Sequence, residues 1–287
     1  MSSTVNTGGN LKSAKQSLPW SLWLRQLRAI FILETGKNFL GKRAILIYLL
    51  ALLPVFMLGM LALIEPPKSQ SFVNLSMIFS WIYGGLILRT VVFFGCAWIF
   101  MNLFRGELVD RSLHYYFLSP VRREVLVAGK YLSGVVASVF LFTTATVLSM
   151  FLLYFPHFAA ESGRFFFEGP GLGQMLTYAG VTMLACIGYG AFFLFIGLFF
   201  RNPIIPALVM YGWELINFLL PPLLKKISVI HYLNSLVPIP VNEGPFAVVA
   251  DPTPAWIAIP GLLIVTALVL IAAGYRIRHL EINYGSE

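Results

Sequence analysis

Two ionisable residues stand inside long apolar runs of this 287-residue chain, Arg89 and Glu214. A charge at mid-membrane costs roughly 2.5–3.5 kcal/mol even on the lenient insertion scale, so each is expected to be paired or functional. Counted from the inner ends of their runs, Arg89 lies about 15 residues deep and Glu214 about 11. At 1.5 Å per residue those depths are roughly 22 and 16 Å, about one helical turn apart. An arginine side chain reaches that far, so a direct pair is one expectation; separate hydroxyl, amide or carbonyl partners, or a protonated Glu214, are the simpler one. Tyr83, Thr90, Tyr211 and Asn217 are the polar candidates nearby.

The second constellation is the charged stretch 105–130, set between two apolar runs, with Arg105, Arg111, Arg122, Arg123 and Lys130 against Glu107, Asp110 and Glu124. Its spacing predicts a short helix over 107–118, bearing Leu108, Leu113 and the Tyr115–Phe117 aromatics. Ser119-Pro120 should break that helix, because the residue before proline avoids α geometry. The same pair can start the next helix, Ser119 as cap and Pro120 in the first turn. A helix, a break and a helix entering the membrane form an elbow able to receive force from a partner. The bland alternative is a solvated loop.

Known catalytic spacings are missing. The sequence holds no Gly-x-x-x-x-Gly-Lys-Ser/Thr phosphate loop, no His-Glu-x-x-His and no Gly-x-Ser-x-Gly. Cys96 and Cys186 sit singly in apolar runs and read as small packing residues. His157 and His231 read as solvated loop histidines, and His114 and His279 show no ligand spacing. No catalytic residue, metal site or cofactor is assigned to this chain. Gly129, Ser133 and Ala137, four apart, read as a close helix-packing face.

These residues must be positioned by a membrane scaffold. The chain is 58% hydrophobic and 11% charged, with a mean hydropathy of +0.81; soluble domains carry about 25% charged residues. The fold class expected is an all-α integral membrane protein of six spans, roughly 44–64, 77–104, 125–155, 174–200, 203–223 and 255–275. The second and third exceed the needed length and should tilt or project. Arg201-Asn202-Pro203 divides the fourth from the fifth. Residues 1–17 read as a disordered tail, and no cleaved signal peptide is evident. Residues 18–43 read as an amphipathic interfacial helix. Trp20, Trp23, Leu24, Leu27, Ile30 and Phe31 are assigned to lipid, and Arg25 and Arg28 to phosphates. The 224–254 region, with its apolar piece 227–236, is too short to cross and reads as an outer re-entrant cap; 276–287 is a second tail. Of the basic residues, 15 fall on the side shared by both termini and 4 on the other, which makes the termini cytoplasmic. The formal net charge of +8 is therefore read as an orientation signal, not as nucleic-acid binding.

With Glu107, Asp110, Arg111, Ser112-Leu113, Phe117-Leu118-Ser119-Pro120-Val121-Arg122-Arg123 and Gly129-Lys130-Tyr131 in place, the chain resembles the ABC-2 type permeases, the membrane subunits of ATP-driven exporters. It departs from their pattern at Ser112, where a Gly-Thr pair is commoner, and lacks one residue between Ser119 and Pro120. The motif covers about a tenth of the chain. The resemblance implies a type V exporter-like arrangement in the plasma membrane. It also implies a partner ABC ATPase carrying ATP and Mg, and a second permease copy forming a homodimer or heterodimer in the lipid bilayer. The coupling residues it implies are Glu107, Asp110, Arg111, Leu113, Tyr116, Pro120, Arg122 and Arg123. Two rivals stay open: an ion-coupled secondary transporter using Glu214, against which no internal repeat is found, and a non-catalytic membrane assembly scaffold.

Overall fold

The computed structural model describes residues 20–42, 44–64, 72–109, 121–157, 165–200, 204–225, 228–240 and 253–278. All regular structure among them is helical. Helix α1 spans Trp20–Leu40 and α2 Ala44–Ile64. Helix α3, Phe72–Ile82, runs through a π-helical segment, Tyr83–Val92, into α4, Phe93–Val109. Then come α5, Arg123–Tyr154, α6, Gly171–Phe199, α7, Ile204–Leu215, α8, Val229–Leu236, and α9, Ala255–Arg278.

Among the described residues five helices are long and apolar enough to cross a membrane: α2, the continuous α3–π–α4 rod, α5, α6 and α9. The sequence suggested six, and the difference lies in the run 203–223. There α7 has 12 residues, about 18 Å at 1.5 Å per residue. It tightens into a 3₁₀ turn over Ile216–Leu219 and stops at Leu220, whose backbone is extended. Leu220 precedes Pro221-Pro222, and a residue before proline is pushed out of the α region.

The helices pack through small residues that admit large ones. Phe100 on α4 is fully buried between α5 and α6. A Cβ on Gly134 would stand 2.7 Å from its ring, and one on Gly190 2.5 Å, so only glycine lets three helices close on that phenyl. Farther along the bundle the contacts turn polar. Ser76 and Tyr154 share a 2.7 Å hydrogen bond, and the Tyr83 and Thr182 hydroxyls lie 3.0 Å apart. Tyr83 and Tyr178 pack with ring centroids 4.6 Å apart. In the apolar core each hydroxyl needs such a partner, since none can be taken from water. The outward faces of α2 and α9 carry exposed Leu49, Phe56, Leu63, Ile264, Leu268 and Ile271, the surface of helices solvated by lipid. The chain is a multi-pass helical membrane protein.

Candidate functional site

The base of the bundle is where α1, α4, α5 and α9 meet. α4 runs unbroken through Val109, so the start of the expected 107–118 helix is the end of a span and not a separate element. The backbone of Glu107 belongs to α4, while its side chain lies outside the described residues. Asp110, Arg111, Leu113, Tyr116 and Pro120 lie outside them altogether. The next helix does not start at Ser119-Pro120. Val121 and Arg122 are non-helical, Arg122 is the extended N-cap of α5, and the Leu126 amide donates to the Arg122 carbonyl at 3.1 Å. Glu124 in the first turn places a negative charge at the positive end of the helix dipole.

Three consecutive residues at this start tie it to two other helices. The Arg122 guanidinium lies 4.4 Å from the Trp23 ring centroid, a cation–π contact to α1. Arg123 donates to the carbonyls of Ile277 at 3.0 Å and Arg278 at 2.9 Å, satisfying two of the orphan acceptors at the end of α9. Glu124 pairs with Arg278. Trp20 and Leu24 are exposed, as are Arg25 and Arg28, whereas Ile30 is buried. The stripe assigned to lipid is thus divided: Ile30 packs against α5, at Gly129, where an added Cβ would lie 2.8 Å from it.

Two turns further along α5, Lys130 is fully buried. Its Nζ donates to Glu34 Oε1 at 2.9 Å and to the Leu103 carbonyl at 2.9 Å, and lies 5.3 Å from the Phe104 ring centroid. Lys37 donates to the same Glu34 oxygen at 3.0 Å. Burial alone would raise the Glu34 carboxyl, but the charge and hydrogen bonds of Lys130, with those of Lys37, outweigh it and hold it below its ordinary value. Lys130, counted from sequence among the cytoplasmic-side basic residues, is buried as the ionic pin of α1, α4 and α5. Glu34 was missed. The available signal was that the sole carboxylate of the helix falls four residues after Ile30, on the buried face. Ser133 belongs to the same seam, accepting from Asn38 at 3.4 Å.

The intramembrane pair sits higher. Arg89 lies in the π-helical segment. Glu214, buried near the end of α7, caps α8: Ser228 Oγ donates to its Oε2 at 2.5 Å, the Val229 amide to Oε1 at 3.2 Å and the Ile230 amide to Oε2 at 3.1 Å. Arg89 lies within electrostatic reach of this carboxylate, and the Tyr189 hydroxyl within reach of both. Phe93 and Phe94 pack on Tyr211 at centroid distances of 5.2 and 4.6 Å, forming an aromatic wall. Of the other polar candidates, Tyr83 bonds Thr182 and Thr90 bonds the Gly85 carbonyl of its own helix. Asn217 is buried with its amide nitrogen unpaired. Sequence had no means of showing Ser228 and the α8 N-terminus as the Glu214 partners, because a loop of unknown path joins them.

His231 corrects another expectation: it is buried, with Nε2 3.2 Å from Thr253 Oγ1, because it lies in α8 and not in a loop. Cys96 and Cys186 are both buried and unbridged. Among the described residues no three His, Cys, Asp or Glu side chains cluster as metal ligands. Compared with protein-family models and with curated protein sequences, the chain finds no match.

Proposed function

We propose that the chain is the permease subunit of an ABC-2 type exporter, moved by ATP hydrolysis on a separate ATPase chain and pairing with a second permease copy. One observation carries the reading. The charged segment 105–124 leaves α4 and enters α5 at a point held to α1 through Arg122 and Trp23 and to α9 through Arg123 and Glu124. Lys130 then holds α5 to α1 and α4. A push on such a segment is delivered to four helices together and not absorbed by one loop. Rigid-body motion of packed helices is the usual form of domain switching. With the basic segments cytoplasmic, this platform faces the ATPase and both termini lie on the cytoplasmic side of the plasma membrane. The aromatic-walled region around Arg89 and Glu214 then lies along the transport route.

The test is reconstitution. The tagged chain, purified from its native membrane in mild detergent, is expected to bring an ABC ATPase whose hydrolysis rises when the permease is present and which powers transport in proteoliposomes. Gradient-driven transport by the chain alone, with no ATPase required, would refute the reading.

A further inference from the structure

Between α1, α5 and α9 lies a groove of about 620 Å³, within the range of small-molecule sites. Val127, Ala128 and Leu132 on α5 face Leu270 and Ile271 on α9, with Leu27 of α1 beside them. Ile271 and Leu132 are exposed, so the groove opens sideways on the face that meets lipid. Glu124 and Arg278 line one end and Leu132 and Leu270 the other. Each wall therefore spans about eight residues, or roughly 12 Å along the helix axes. One leaflet of a 30 Å hydrocarbon core is about 15 Å deep, so the groove is nearly as long as the leaflet and parallel to its chains.

Its polar end is basic. Arg278 lines it, with its side chain 59% exposed; Arg122 and Arg123 precede Glu124, and exposed Arg28 follows Leu27. Among the described residues the one carboxylate lining the groove, Glu124, is paired with Arg278, so the excess positive charge at this end is that of Arg28, Arg122 and Arg123. The combination of an apolar slot of leaflet depth and a basic rim at its polar end matches one chemistry. We propose that the groove binds an acyl chain of an anionic glycerophospholipid, with the lipid phosphate at the Arg278 rim. Basic pockets between spanning helices are the usual form of headgroup recognition, and here the acyl slot adds depth to it. The inference rests on the membrane fold and not on the exporter reading.

The test uses the full-length protein in detergent, titrated with phosphatidylglycerol or phosphatidylcholine of identical chains and followed by native mass spectrometry and thermal melting. Phosphatidylglycerol is expected to bind more tightly and to raise the melting temperature more. Arg278→Gln should lower its affinity by about fivefold, the scale of one cation at a charged surface, and leave phosphatidylcholine unchanged. Ala128→Trp and Gly274→Leu fill the slot from opposite walls and should each abolish tight binding. Gly274 has room for the change, since an added Cβ meets only Glu124 Cγ, at 3.9 Å. Equal binding of the two lipids by the wild-type protein would overturn the proposal, and that comparison needs no variant. So would full retention of phosphatidylglycerol in a folded slot-filling variant, or a slot-filling variant that changes only the oligomeric state, which would make the groove an interface between copies of the chain.

Discussion

Replacing Glu34 by Gln removes a carboxylate that lies 2.9 Å from the Lys130 ammonium, with almost no change of shape. The Lys130 side chain is fully buried and that of Glu34 only 4% exposed, so water cannot replace the lost charge. The neutral Leu103 carbonyl and Phe104 ring stay beside Lys130 but do not replace that charge. Removing one partner of a buried pair costs about 3–5 kcal/mol. At roughly 2–4 °C per kcal/mol for chains of comparable size, Glu34→Gln should lower the melting temperature in detergent by on the order of 10 °C. Lys130→Met should cost less, because Glu34 retains Lys37, whose side chain is half exposed. The double variant should recover part of the loss, with a coupling of about 1–3 kcal/mol. The pH dependence has a fixed sign. A carboxyl held below its ordinary value in the folded protein contributes stability that is complete above that ordinary value and is lost as pH falls through the lowered one. The wild type should therefore lose stability on the acid side, and Glu34→Gln should flatten that limb. Additive single effects, or a Glu34→Gln melting curve superimposable on the wild type at neutral pH, would refute the pinning role.

Other outcomes follow from the same contacts. Gly129→Ile should separate α1 from α5, because its side chain would meet Ile30 where even a Cβ stands 2.8 Å away; protease accessibility of α1 in folded protein reads this, and unchanged protection would count against the seam. Arg89→Ala and Glu214→Ala should each impair folding or transport while the double variant recovers partly; strictly additive damage would mean that the two groups do not interact. Glu107→Ala or Leu113→Asp should leave membrane insertion intact and weaken ATPase association, and unchanged pull-down and transport in both would remove the docking role. Single cysteines at Ser69 and Ser162, in a background lacking Cys96 and Cys186, should label from outside and one at Ser112 should not; labelling at Ser112 in intact cells would invert the orientation.

The helical membrane class was legible because it depends on local runs of apolar residues, and α2 and α9 lie where hydropathy alone put them. The shortfall at α7 was legible in principle: Pro221-Pro222 was visible, but an apolar run counted for length does not register that the chain must leave α geometry at Leu220. What stayed hidden depends on which faces meet. The apolar positions of α1 repeat at helical spacing whether they face lipid or protein, so periodicity could not tell that Ile30 enters the seam at Gly129. Lys130 closes the charged stretch 105–130 in sequence, and only the approach of α1 and of the Leu103 carbonyl makes it a buried cation.

Glu214 shows why a buried carboxylate is not by itself an ion site. An ionised carboxylate offers about four acceptor positions, and three are taken by Ser228 Oγ and the amides of Val229 and Ile230. Those amides are orphan donors at the start of α8, and the positive end of that helix dipole favours a negative charge there. A coupling cation or proton would have to compete with donors that lose their partner when it arrives, so loading the site would release α8. The ion-coupled reading therefore demands a movement of α8 in each cycle, whereas the exporter reading lets Glu214 stay charged and α8 stay fixed to α7. Ser228→Ala separates them. In the fixed arrangement it costs one charge-assisted hydrogen bond, about 1.5–3 kcal/mol, and leaves any transport independent of the proton gradient. A shift in the pH dependence of transport in that variant would restore Glu214 as the coupling site.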